Sequence, residues 1–148
     1  MAHCLFPGAA LQTVDCVGHA AFPRVDFATR IALTQSGGPL GTVSMDYLSP
    51  LSLRRIGLRG RNSVHDLDLL AMRRNSFSGG REVVRDYSFE RNQMFIDLMV
   101  DFLALTRGDA MKDDPLLPRM DRVYDSCAMI ADAWQMRRFH GNIDGGMT

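Results

Sequence analysis

What most constrains this chain is a pair of alternating runs, Val25–Thr34 and Gly41–Leu48, set on either side of a short turn. In the first run Val25, Phe27, Thr29, Ile31 and Leu33 fall on one face of an extended chain. Asp26, Ala28, Arg30, Ala32 and Thr34 fall on the other. In the second, Val43, Met45 and Tyr47 alternate with Thr42, Ser44 and Asp46. The intervening Ser36-Gly37-Gly38-Pro39 is a turn, because glycine reaches positive φ and Pro39 has no N–H to give a ladder. A period of two on both sides of such a turn predicts a β-hairpin. A chain holding this hairpin must build a sheet and cover at least one of its faces.

Other strand-like runs surround it. Leu11–Ala20 alternates weakly and fits a first strand, and Leu53–Leu58 sets Arg54, Ile56 and Leu58 on one side. Gly57-Leu58-Arg59-Gly60 then turns the chain into Ser63–Met72. Arg73–Gly80 reads as loop, and Arg81–Tyr87 as a last strand in which Val83, Arg85 and Tyr87 alternate with Glu82, Val84 and Asp86. About six strands joined by short turns, with no helix between them, predict a predominantly antiparallel (mixed) open sheet.

At Ser88, a suitable N-cap, the period becomes helical. Glu90, Gln93, Asp97 and Asp101 form a polar stripe, with Met94, Phe95, Leu98, Met99, Phe102 and Leu103 on the wide opposite side. Arg107-Gly108 supplies a cation for the last turn and a C′ glycine. A second helix follows Pro118, with Met120, Val123, Cys127, Ile130 and Trp134 along a narrow apolar stripe. Ala128, Ala131 and Ala133 suit close packing, and Arg137 and Arg138 lie near the helix's negative end. Residues 139–148 are glycine-rich and are expected to fray. The class is therefore α+β, an open sheet with two C-terminal helices packed on one face. Without a linker or repeat, residues 1–148 read as a single domain, long enough to bury roughly two-thirds of its unfolded surface.

Charge narrows the partners. Lys+Arg number 17 and Asp+Glu 17, and this neutrality argues against nucleic acid or an acidic membrane as the main partner. The three cysteines, Cys4, Cys16 and Cys127, lie far apart, as in a reducing compartment. No apolar run approaches the ~18–20 residues of a membrane span, and the N-terminus lacks a basic segment ahead of an apolar one. A cytoplasmic protein is the expectation.

Candidate chemistry is sparse. No Gly-x-Gly-x-x-Gly or Walker pattern is present, and Gly57-x-x-Gly60 lies between strands, where a plain turn is the better reading. His65-Asp66-x-Asp68 resembles a metal site or a His–carboxylate pair, yet neighbours on a strand face opposite ways. Cys127 sits on an apolar helix stripe, and Ser126 has no Gly-x-Ser-x-Gly context. The densest basic run, Arg54, Arg55, Arg59 and Arg61, fits a solvated strand edge or a contact with an anionic group such as a sugar-nucleotide phosphate. From the residues alone no complete active site emerges, and no catalytic residue is assigned.

Four pieces in order resemble a known family. They are Gly41-Thr-Val-Ser-Met-Asp-Tyr-Leu-Ser-Pro50, then Arg54-Arg-Ile-Gly-Leu-Arg-Gly60 with Asp66 downstream, then Glu90-Arg-Asn-Gln-Met-Phe-Ile-Asp97 leading to Asp101-Phe-Leu-Ala-Leu105. The last is the final helix with Ser126 and Ala131. Over about Leu5 to Arg138 the chain is similar to the C-terminal domain of the Gfo/Idh/MocA oxidoreductases (glucose-fructose oxidoreductase, inositol dehydrogenase and relatives). The tyrosine strand and the Arg-Asn-x-Met helix start look closest to members acting on sugars or sugar nucleotides. The resemblance implies a substrate-binding and oligomerisation domain of an NAD(P)-dependent oxidoreductase, with NAD or NADP used by the intact enzyme and no cofactor bound by this chain. The family's Rossmann domain, its Glu-Lys-Pro lysine and its catalytic histidine have no counterpart here, and that histidine would align upstream of Met1. Asp46, Tyr47, Arg54 and Arg55 are the implied substrate-lining residues, and the exposed sheet face is the implied surface of a dimer or higher homo-oligomer. The alternative is a free-standing, non-catalytic open-sheet module for dimerisation or binding. A small enzyme built on His65 and Asp66 is a third reading.

Overall fold

The computed structural model describes residues 6, 8–38, 40–87, 90–109 and 120–143. Strand β1 (Ala10–His19) runs antiparallel to β2 (Phe22–Thr34), the longest strand. Their register jumps from Gly18↔Asp26 to His19↔Phe22, so Pro23, Arg24 and Val25 bulge from the ladder. The sequence explains the bulge: Pro23 has no N–H to donate, and Arg24 takes the left-handed conformation at φ 71°. Strand β3 (Gly41–Asp46) pairs with β2 without a slip, from Leu33↔Gly41 to Ala28↔Asp46. This is the hairpin that the alternation predicts, and Gly37 at φ 63° with the Gly38 N–H on the Gln35 carbonyl (3.0 Å) forms its turn.

The other edge of β1 is taken by β8 (Arg137–Ile143), which runs parallel to it, giving the order β3-β2-β1-β8. Residues 139–143, expected to fray, are therefore strand. The expectation rested on glycine content, and what overrides it is the open edge of β1, whose backbone groups need partners. Close approach is possible because position 18 is glycine: a Cβ there would lie 2.7 Å from Asn142 Oδ1 and 3.3 Å from the Phe139 ring. Helix α2 (Met120–Met136) leads into β8 and lies on β1. Val14, Cys16 and Ala133 form the buried core there, with Leu11 and Ile31 packed against it.

Residues 51–117 form a second compact unit, inserted between the two segments of the first. Strands β4 (Arg55–Arg59), β5 (Ser63–Asp68), β6 (Arg73–Ser78) and β7 (Arg81–Asp86) make an antiparallel meander in that order. Strand β6 falls in the stretch that reads as loop. Its sequence, Arg-Arg-Asn-Ser-Phe-Ser, lacks apolar alternation because neither face of this sheet is deeply buried. Its hairpin is set by Gly79 and Gly80, at φ 57° and 77°, the paired positive angles that a two-residue turn between twisted strands requires. The expected sheet of about six strands is thus two open sheets of four, one mixed and one antiparallel.

Helix α1 (Arg91–Arg107) follows β7. Glu90 occupies its N-cap without a side-chain hydrogen bond, and Ser88, the cap expected from sequence, lies outside the described residues. At its other end Gly108 is left-handed. The Gly108 N–H reaches the Leu105 carbonyl (3.1 Å) and the Asp109 N–H that of Ala104 (3.0 Å), a Schellman closure. The broad apolar side of α1 is half exposed: Phe95 is 53% accessible, Met99 58% and Phe102 53%. No helix is long and apolar enough to cross a membrane among the described residues.

Candidate functional site

The second sheet sorts its charges by face. Continuous register places Arg55, Asp68, Arg73 and Asp86 in one row across all four strands, so acid and base alternate. Arg55 Nε lies 3.4 Å from Asp68 Oδ2, and Arg73 Nε donates to Asp86 Oδ1 at 2.6 Å. The Asp86 carboxyl is held below its ordinary value by the Arg73 hydrogen bond, and the Arg73 guanidinium is raised in return. Asp68 is lowered chiefly by the backbone N–H groups of Ala71 and Leu70, 2.9 and 3.0 Å from Oδ1, and then by Arg55. This carboxylate therefore caps the β5–β6 turn as well as joining the row. Asp66 and Glu82 occupy the same face.

The opposite face has no carboxylate among its described residues. Its rows are Ile56-Leu67-Arg74-Arg85 and Leu58-His65-Ser76-Val83, followed by Ser63, Ser78 and Arg81. Arg74 and Arg85 are direct cross-strand partners. Like charges so placed, with Cβ atoms roughly 4.5–5.5 Å apart, oppose pairing. Arg74 Nε is moreover buried without a hydrogen-bond partner, a state rare for a buried donor and worth about 1–3 kcal/mol of lost solvation. Sequence reasoning missed this pair because it left residues 73–80 out of any strand. The signal that could have found it was the Gly79-Gly80 hairpin, which fixes Arg74 opposite Arg85.

The residues singled out from sequence are divided between the two units. Asp46 ends β3, where Oδ1 accepts the Leu48 N–H (2.7 Å), and Tyr47 is 80% exposed, its N–H on the Phe27 carbonyl (2.9 Å). Both belong to the first unit, whereas Arg54 and Arg55 belong to the second. The Arg54 carbonyl accepts the Leu69 N–H (2.8 Å), and Arg55 is engaged by Asp68. His65 pairs with Leu58 and Ser76, Asp66 with Gly57 and Asn75, so the two look out from opposite faces and make no catalytic pair. No three His, Cys, Asp or Glu side chains meet as metal ligands among the described residues.

In the first unit a groove of about 610 Å³ runs between the start of β1 and α2, lined by Leu11, Ala128, Met129 and Met136 with Asp125 and Asp132. It is mainly apolar, and none of Asp46, Tyr47, Arg54, Arg55, His65 and Asp66 lines it. A separate knot ties α2 to the sheet. Arg137, read from sequence only as a helix-end cation, stacks 3.2 Å from the Trp134 ring centroid, donates to the Trp134 carbonyl (3.1 Å) and pairs with Asp26 (3.3 Å). The Thr29 hydroxyl donates to Asp26 at 2.6 Å. This bond first, and the Arg137 charge after it, hold the Asp26 carboxyl below its usual value against the opposing effect of burial. Cys16 Sγ lies 3.5 Å from the Thr29 hydroxyl. These contacts are architectural.

A dinucleotide of the Gly-x-Gly-x-x-Gly kind needs a glycine turn from strand into helix. The junction of β7 and α1, Tyr87-Ser88-Phe89-Glu90, contains no glycine. These residues do not fit that cradle.

Solved structures place the fold. A chain of UDP-N-acetylglucosamine 3-dehydrogenase GnnA from Acidithiobacillus ferrooxidans superimposes with a TM-score of 0.62 at 18% identity, over 89% of this chain and 41% of that one. A protein of Erwinia carotovora atroseptica SCRI1043, described as an oxidoreductase, gives 0.67 at 17% identity, over 90% and 42%. The fold is that of a segment of these oxidoreductases. A second GnnA structure agrees, with a TM-score of 0.56 over 72% of this chain and 35% of the other. This chain thus spans about two-fifths or less of the length of the structures it matches. No family model matches it, and no curated protein does.

Proposed function

We propose that this chain is the substrate-binding and oligomerisation domain of an NAD(P)-dependent oxidoreductase of the Gfo/Idh/MocA type, acting on a sugar or sugar nucleotide. The observation that carries the reading is the likeness of nearly the whole chain to less than half of an enzyme named for a UDP-sugar. The short motifs from Gly41 to Leu105 agree with it. In this reading the cofactor belongs to a part of the enzyme with a glycine turn that these residues lack, and the reaction runs in the cytoplasm.

Association of copies belongs to the same proposal. Phe77 and Val84, on one face of the second sheet, are 48% and 53% exposed, and a second copy would remove such area from water. Light scattering at micromolar concentration should give a dimer or larger; monomer alone removes that element. The reading as a whole is tested by titration calorimetry. UDP-N-acetylglucosamine should bind this chain and NAD and NADP should not, whereas micromolar affinity for either dinucleotide would overturn it.

A further inference from the structure

The charge pattern of the second sheet carries one step more. One face alternates acid and base in a paired row, and the other carries Arg74, Arg85, Arg81 and His65 with no carboxylate among its described residues. A chain whose formal charge is zero has therefore separated its ionic groups by face. Exposed arginines are common; what is unusual is a directly opposed arginine pair in which one guanidinium nitrogen is buried and unpartnered. Buried donors are almost always satisfied, and a cross-strand pair of like charges opposes sheet pairing. Both anomalies vanish if an anion lies between the two side chains.

We propose that Arg74 and Arg85 form a binding site for a phosphate-class anion, such as the diphosphate of a nucleotide sugar. As cross-strand partners on one face, Arg74 and Arg85 bring two guanidinium groups within reach of one anion, and such planar forks engage phosphate oxygens in pairs. His65 is on the same face, diagonal to Arg74 across the β5–β6 ladder, roughly 7–8 Å away by sheet spacing. It offers a further ring nitrogen at the rim. Leu67 and Ile56 continue the Arg74 row toward β4 and limit water on that side, which strengthens ionic hydrogen bonds. The row on the opposite face cannot serve, since Arg55 and Arg73 already have carboxylate partners. The diphosphate assignment rests on the sugar-nucleotide reading above; the anion site does not.

The test is calorimetry on the full chain in chloride buffer with two probes, inorganic pyrophosphate and UDP-N-acetylglucosamine. Wild-type protein should bind pyrophosphate, and Arg74→Gln and Arg85→Gln should each weaken it by about tenfold or more. Arg59→Gln, on the opposite face, should leave it unchanged. Arg85 is exposed, so its variant should fold and report even where circular dichroism shows that Arg74→Gln has unfolded. No pyrophosphate binding, binding that survives both substitutions, or an equal loss in Arg59→Gln overturns the site. Pyrophosphate binding lost in both variants, with no binding of the nucleotide sugar, keeps the site and sinks the sugar-nucleotide reading. Nucleotide-sugar binding with unchanged affinity in both variants does the reverse.

Discussion

The two sheets have four strands each and hold together by different means. Every buried side chain among the described residues, from Val14 and Cys16 to Phe27, Leu33 and Ala133, belongs to the first unit. The second has its ladders, its turns and a row of surface ion pairs, and its apolar residues stand largely in the open. The difference lies in the helix that belongs to each unit. Helix α2 returns onto β1 and shuts one face away from water, whereas α1 keeps its apolar side half exposed. Strand formation alone does not make a core; a cover does.

The largest expected effect tests that contrast directly. Phe27→Ala removes a ring that is 9% exposed and packed against His19 and Phe22, with centroids 5.1 and 6.0 Å away. It should cost about 3 kcal/mol in urea unfolding. Phe77→Ala, at 48% exposure on the second sheet, should cost under about 1 kcal/mol. Equal losses would mean that the second sheet has a cover of its own in solution.

Next comes the tie between helix and sheet. Arg137→Met removes the Asp26 ion pair and the stacking on Trp134 together and should cost about 1–2 kcal/mol. The fluorescence of Trp134, the single tryptophan, should shift with it, and an unchanged spectrum would deny the stacking. The same tie sets an acid limit on the first unit. Because the folded Asp26 carboxyl titrates below the ordinary aspartate value, its contribution is present above the unfolded value and fades as pH falls through the folded one. Thr29→Val takes away the largest cause of the shift. The drop in urea midpoint between pH 7 and pH 3 should then be smaller than in the wild type, and an equal or larger drop would contradict the assignment.

The smallest effect belongs to the second sheet. Asp86→Asn breaks one link of the alternating row and should lower the thermal midpoint slightly in dilute buffer. The difference should disappear near 1 M salt, where the screening length is about 3 Å. A salt-independent loss would indicate that the row is shielded from solvent.

Legibility from sequence divides along the same line. Strands β1 to β3 could be read because a covered sheet needs apolar residues at most of the alternate positions, and Phe27, Ile31 and Leu33 supply them. Strand β6 could not, since a sheet with neither face deeply buried tolerates Arg-Arg-Asn-Ser-Phe-Ser; only the Gly79-Gly80 pair marked it. Strand β8 was hidden by Gly141 and by the lack of any loop after α2. Its place is fixed by a strand more than a hundred residues earlier, and no local pattern encodes that. For the site, alternation correctly placed His65 and Asp66 apart. It also drew attention to Arg54 and Arg55, the first held through its backbone and the second by Asp68. Recognising Arg74 and Arg85 needed the pairing of β6 with β7, which becomes visible only once the register is known.

The parallel pairing of β1 with β8 has a consequence for how the protein is made. Asp15 meets its partner His140 across 125 residues, and the whole second unit is synthesised in between. At about 5–20 residues per second, roughly 6–25 s pass during which β1 has been made but β8 has not. Over that interval one side of β1 is an open edge, able to pair with any other extended chain nearby. The better-covered half of the molecule is thus the later to be completed, and it begins its life as the more vulnerable one.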